Sequence, residues 1–67
     1  MVTNEQLGRG IRRARMAAGV SQAELARRLD VSRASVANWE TGTMCPRFKT
    51  VVALAEALGC KTDDFVR

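Results

Sequence analysis

Residues 21–42 read SQAELARRLDVSRASVANWETG, and this stretch decides the fold. Ser21 with Glu24 three positions on has the spacing of a capping box, in which each side chain answers the other's backbone N–H. Leu25 and Leu29 lie four apart, with Ala26 beside Leu25, so a helix from Gln22 to Leu29 turns one apolar edge to a core. Asp30, Val31 and Ser32 leave room only for a tight turn. Ser32 then caps a second helix, Arg33 to about Glu40, whose buried edge is Val36 and Trp39 and which Thr41 and Gly42 end. Two short helices joined by about three residues cross steeply rather than lie antiparallel. They share Leu25, Leu29, Val31, Val36 and Trp39, which holds the second helix out from the body, where a groove can receive it.

On a helical wheel centred on Val36, at about 100° per residue, Trp39 and Glu40 fall on the inner side. Arg33, Ala34, Ser35, Ala37, Asn38 and Thr41 make the outer face and its flanks. A helix that merely faced water would carry Lys–Glu pairs. This one carries small residues that permit close approach, one Arg and one Asn. Those two side chains suit paired hydrogen bonds with guanine and adenine edges.

The flanks read as further helices, and no stretch alternates as a strand does. Thr3 and Gln6 form a capping box before a first helix, Asn4 to Ala18, with Leu7, Ile11, Ala14 and Ala18 as its buried stripe and Gly19 as its stop. Residues 43–45 form a loop. Pro46 suits the first turn of a fourth helix, along which Phe48, Val51, Val52, Ala55 and Leu58 repeat before Gly59 closes it. Thr62 caps a short fifth helix, Asp63 to Val66, which returns Phe65 to the core. The expectation is an all-α, compact five-helix fold, with residues 1–67 as a single domain.

Composition agrees. A chain of 67 residues holds one core and little room for a catalytic cleft. The net charge of +4 is uneven: residues 1–33 hold seven arginines against three acids, whereas residues 34–67 are neutral. A focused positive field favours a polyanion. Arg9, Arg12 and Arg13 lie off the buried stripe of the first helix and read as a solvated face, as do Arg27 and Arg28; both sets add general attraction to DNA. No apolar run approaches the ~20 residues of a membrane span, and the N-terminus does not read as a signal peptide. Cys45 and Cys60 read as reduced cytoplasmic thiols, and two cysteines without any histidine do not make a structural zinc site. No nucleophile has a base beside it, so neither an enzyme nor a cofactor is expected.

The sequence resembles the phage-repressor, or Xre-type, helix-turn-helix family. The resemblance rests on SQAELA, on VSRASVANWETG and on Pro46 followed by ALAEALG, and it runs from about Leu7 to Phe65. It implies a compact five-helix domain of a transcriptional repressor, a homodimer on double-stranded DNA. By the same resemblance Arg33, Ala34 and Asn38 meet base edges. Gln22 contacts a phosphate and braces the reading helix. Ser32, Ser35, Thr41, Thr43 and Arg47 lie near the DNA backbone, where contacts fix register without reading sequence. Arg33 and Ala34 depart from the glutamines common in relatives, so a relative's operator does not carry over. Arg15 and Glu40 match a partly buried ion pair. Dimerisation through a surface near Cys60, Lys61, Phe65 and Val66 is weak or completed on DNA. The alternative is an antitoxin that binds DNA through the same face, autoregulates its operon and has a toxin protein as its main partner. A module that uses the same helix on a protein alone is the third reading.

Overall fold

Four α-helices form in the computed structural model, which describes all residues from Met1 to Arg67: α1 (Asn4–Ala17), α2 (Gln22–Leu29), α3 (Arg33–Thr41) and α4 (Phe48–Leu58), followed by a 3₁₀ turn, Thr62–Val66. No helix is long and apolar enough to cross a membrane. The capping box of α1 is complete. The Gln6 N–H donates to Thr3 Oγ1 at 3.1 Å, and the Thr3 N–H donates to Gln6 Oε1 at 2.8 Å. The α2 bounds agree with the sequence reading. Ser21 Oγ accepts from the Glu24 N–H at 3.0 Å, and Asp30 ends the helix at φ 57° and ψ 46°. Asp30 is the one residue other than glycine with positive φ, a conformation its short side chain tolerates better than most.

Four expectations need correction. First, there are four α-helices, not five. Thr62 does not cap a helix; Lys61 precedes the 3₁₀ turn and donates its N–H to the Asp64 carboxylate at 3.0 Å. Five residues are too few to sustain an α-helical ladder, and the tighter hydrogen-bond pattern is the usual form of so short a piece. Second, only half of the α2 capping box forms. The Glu24 carboxylate takes Arg27 Nη2 at 2.6 Å and Arg28 Nε at 3.0 Å instead of the Ser21 N–H. Two cations outcompete a neutral donor for a carboxylate. Third, Pro46 stands outside α4, one residue before the Arg47 cap, and Phe48 is 80% exposed. The later start puts Phe48 at the open end of the helix, on the flank of an arc that turns Leu54 and Ala55 fully inward. Fourth, α1 ends at Ala17, so Ala18 is an exposed cap and not the last residue of the stripe.

The core contains Ile11, Leu25, Ala26, Val36, Trp39, Leu54, Ala55 and Phe65. Phe65 is fully buried, which removes it from the C-terminal surface near Cys60 and Val66. Around this core α1 packs against α3 and the terminal turn, while α2 packs against α3 and α4. Two buried glycines let α1 do so at backbone distance. A Cβ on Gly8 would lie 2.6 Å from the Glu40 carbonyl oxygen, and one on Gly10 would lie 2.6 Å from Phe65 Cα and closer still to its carbonyl. These two residues sit on opposite sides of α1, so α3 and the terminal turn each seat directly on the helix backbone.

Gly10→Ala therefore tests the packing of the terminal turn. Alanine recovers about 1 kcal/mol of helix propensity, but the clash is with backbone, which cannot rotate away. A net loss of about 1–3 kcal/mol is expected in urea unfolding; a variant at least as stable as the parent would disprove the close approach.

Arg27 and Arg28 also hold the Glu24 carboxyl at about 2, below its ordinary 4.5. The sign follows from proton binding: between those values the unfolded chain binds the proton and the folded chain does not. The contribution is present above pH 4.5 and lost as the pH falls towards about 2. Glu24→Gln should flatten the acid limb of the stability curve in that window, and added salt should shrink the difference, because the cluster is exposed.

Candidate nucleic-acid interface

The turn between α2 and α3 is built from local hydrogen bonds. The Asp30 N–H donates to the Arg27 carbonyl at 3.2 Å, and the Val31 N–H donates to the Ala26 carbonyl at 3.0 Å. Ser32 Oγ accepts the Ser35 N–H at 3.1 Å and lies 3.0 Å from Ser35 Oγ. Helix α3 thus begins with both serines tied to each other at its first turn. Val36, Trp39 and Glu40 are its buried side, as the wheel predicts. Arg33, Ala34 and Thr41 are exposed, and Ser35, Ala37 and Asn38 are half-buried.

The rotation of α3 is fixed by charge as well as by packing. Arg15 Nε donates to Glu40 Oε2 at 2.6 Å, and Arg15 Nη2 donates to Glu40 Oε1 at 3.1 Å. The two side chains are only 12% and 4% exposed. Arg15 Nη1 also reaches the Val20 carbonyl at 2.8 Å. Gln22 Nε2 donates to Glu40 Oε1 at 3.0 Å, while Gln22 Oε1 accepts from Arg33 Nη1 at 3.2 Å. A chain of contacts therefore runs Arg15–Glu40–Gln22–Arg33, from α1 through α3 and α2 to the exposed first residue of α3. No buried side-chain polar atom is left without a partner. The hydrogen bonds that Arg15 donates to Glu40 raise the Arg15 pKa above its ordinary value, against the opposing effect of burial.

At the other end of α3, the Met44 N–H donates to the Asn38 carbonyl at 3.1 Å, folding the loop back on the helix. Asn38 Nδ2 lies 3.5 Å from the Met44 sulfur, a weak acceptor that leaves the amide free to turn outward. Thr41 Oγ1 donates to the Asn38 carbonyl at 3.2 Å and lies 2.9 Å from Thr43 Oγ1. Arg47 is exposed at the start of α4, and its side chain has no hydrogen bond to the rest of the protein. The structure thus brings Gln22, Arg33, Ser32 and Ser35 to one end of α3, and Asn38, Thr41 and Thr43 to the other. Met44 was missed in the sequence, where nothing distinguishes it from any loop methionine. Arg27 and Arg28 are partly committed: besides its bond to Glu24, Arg28 reaches the Ala57 carbonyl at 3.3 Å.

The chain, with its pair of capped helices joined by a three-residue turn and a small polar outer face on the second, matches the helix-turn-helix family model over residues 11–65. The chain belongs to the helix-turn-helix family. Membership carries the coarse function with it, a DNA-binding regulator of transcription. Among solved structures, the clp gene regulator ClgR from Corynebacterium glutamicum superposes with a TM-score of 0.91 at 27% identity. The match covers 98% of this chain, and 85% and 70% of the ClgR chain in two crystal structures. The restriction-modification controller protein C.AhdI from Aeromonas hydrophila superposes with a TM-score of 0.86 at 27% identity, over 92% of this chain and 94% of that one. No curated protein matches the sequence significantly.

The ion pair that orients this helix-turn-helix has a measurable signature. Glu40→Ala strands the Arg15 charge and should cost about 3–5 kcal/mol in urea unfolding. Replacing Arg15 and Glu40 together by leucine should cost less than the single change, because no buried charge remains. A single variant as stable as the parent would show that the pair is not desolvated in solution.

Proposed function

We propose that this chain is a sequence-specific regulator of the repressor type, acting as one domain in the cytoplasm, and that it lays α3 in the major groove of a two-fold symmetric operator as a homodimer. The observation that carries this reading is the contrast between the two sides of α3. The inner side is held by the Trp39 packing and the Arg15–Glu40–Gln22 contacts, and the outer side offers only Arg33, Ala34, Ser35, Ala37, Asn38 and Thr41. A rigidly held helix with short outer side chains can approach base edges closely.

In this reading Arg33 pairs with a guanine, Asn38 with an adenine, and Ala34 touches a thymine methyl at most. Gln22, Ser32, Ser35, Thr41, Thr43 and Arg47 hold the phosphates on either side and set the register. A single short helix reads few base pairs, so a second copy on a half-site about 34 Å away supplies the rest. The surface around Cys60, Lys61 and Val66 is the proposed dimer contact; Cys60 is half-buried there and not bonded to Cys45.

Selection from a random duplex library, run with the parent, Arg33→Ala and Asn38→Ala, tests this. The parent should enrich a symmetric motif, and each variant should relax one position of each half-site, losing about 1–3 kcal/mol there. Binding that is salt-sensitive but blind to sequence would overturn the reading, because it would leave only the general attraction of the basic half.

A further inference from the structure

We propose that the outer face of α1 is a docking site for an acidic protein segment that carries an apolar side chain. Arg9, Arg12, Arg13 and Met16 follow the spacing of one helix face and line a shallow groove of about 470 Å³. That face points away from the core. Gly8 and Arg15, on one side of α1, meet α3, and Gly10 meets the terminal turn on the other. The groove therefore lies on the side of α1 that neither α3 nor the terminal turn covers.

Two of its three charges are uncommitted. The ion pairs of the protein join Arg15 to Glu40, Arg27 and Arg28 to Glu24, and Arg67 to Asp64, and neither Arg9 nor Arg12 is among them. Arg13 reaches only the carbonyls of Asp64 and Arg67, at 3.2 and 3.5 Å. The groove floor is nearly all carbon, formed by the arginine stems and Met16, and Met16 is 60% exposed. Arginine stems cover apolar surface while their heads stay wet. A cationic rim over such a floor complements carboxylates flanking an apolar side chain, because each guanidinium can take a carboxylate with two parallel bonds. A phosphodiester strand would use the rim and leave Met16 idle. The inference goes beyond the operator-reading role of α3 and holds whichever base pairs that helix meets.

The probe is a short fluorescein-labelled peptide of Asp and Glu with leucines at helical spacing, beside a copy with serine in place of leucine. At physiological ionic strength the leucine peptide should bind the full chain, shift the amide resonances of α1 rather than α3, and bind better than the serine copy. Arg9→Glu with Arg12→Glu should weaken it about tenfold, and Met16→Ser should erase the preference for leucine. Arg9→Gln with Arg12→Gln serves if the reversed charges unfold the chain. Parent and variants should select the same duplex motif, with at most a uniform, salt-dependent loss of affinity from the altered charge, which separates this test from that of the α3 reading. No binding, equal binding of the two peptides, or competition by random duplex as strong as by the leucine peptide would each overturn the proposal, the last in favour of a second nucleic-acid surface.

Discussion

The Arg15–Glu40 ion pair joins α1 to the end of α3, and the orientation of every outward-facing group on α3 depends on it. Removing two charges from water costs several kcal/mol per ion before their attraction offsets any of it. What offsets it here is the number of hydrogen bonds. Glu40 receives two N–H groups from Arg15 and one from Gln22, and Arg15 spends its remaining side on the Val20 carbonyl. Such a pair adds little net stability. Its effect is directional: apolar packing around Val36 and Trp39 tolerates a small rotation of α3, whereas a two-pronged guanidinium–carboxylate contact tolerates very little. The Val20 bond adds the loop after α1 to the same lock.

That lock needs α1 and α3 to lie close, and Gly8 supplies the closeness. Its missing side chain lets the α3 carbonyls of Trp39 and Glu40 sit against the α1 backbone, near the Arg15 side chain on the same side of the helix. Gly10 does the same for the terminal turn, so Phe65 closes the opposite edge of the core. Each glycine weakens α1 by about 1 kcal/mol as an isolated helix. The fold accepts that loss because the lock and the closed core both form against the same fourteen-residue helix.

Much of this was legible in the residues. The start and end of α2, the Ser32 cap and the inner side of α3 followed from caps and apolar spacing, because each signal is local and the signals agree. The face of α4 was not. Residues 51–55 are apolar in unbroken succession, so periodicity does not choose between Phe48 and Leu54; the packing of α2 and the terminal turn does. The half-formed box at Ser21 failed for a different reason. The Ser21 N–H and the two arginines three and four positions after Glu24 compete for the same carboxylate, and spacing alone does not rank them. Gly8 and Gly10 carried no visible signal, since their role lies in what approaches them. Of the site, the Arg15–Glu40 pair came from family resemblance and not from spacing. The bond from Gln22 to Glu40 appears only once α2 and α3 are placed together.

Gln22 also divides the candidate interface into a fixed and an adjustable part. Its amide N–H is anchored to a buried carboxylate, so its position is inherited from the core. Its oxygen holds the exposed Arg33 guanidinium by one bond at 3.2 Å, in reach of water and easily exchanged. Asn38 has the same character at the other end of α3, where a sulfur at 3.5 Å is its only side-chain partner. A ligand that meets α3 therefore finds a helix axis already set and two polar side chains that give up little to turn towards it. Most of the ordering cost has been met in folding, and the small remainder is the condition under which paired hydrogen bonds distinguish one partner from another.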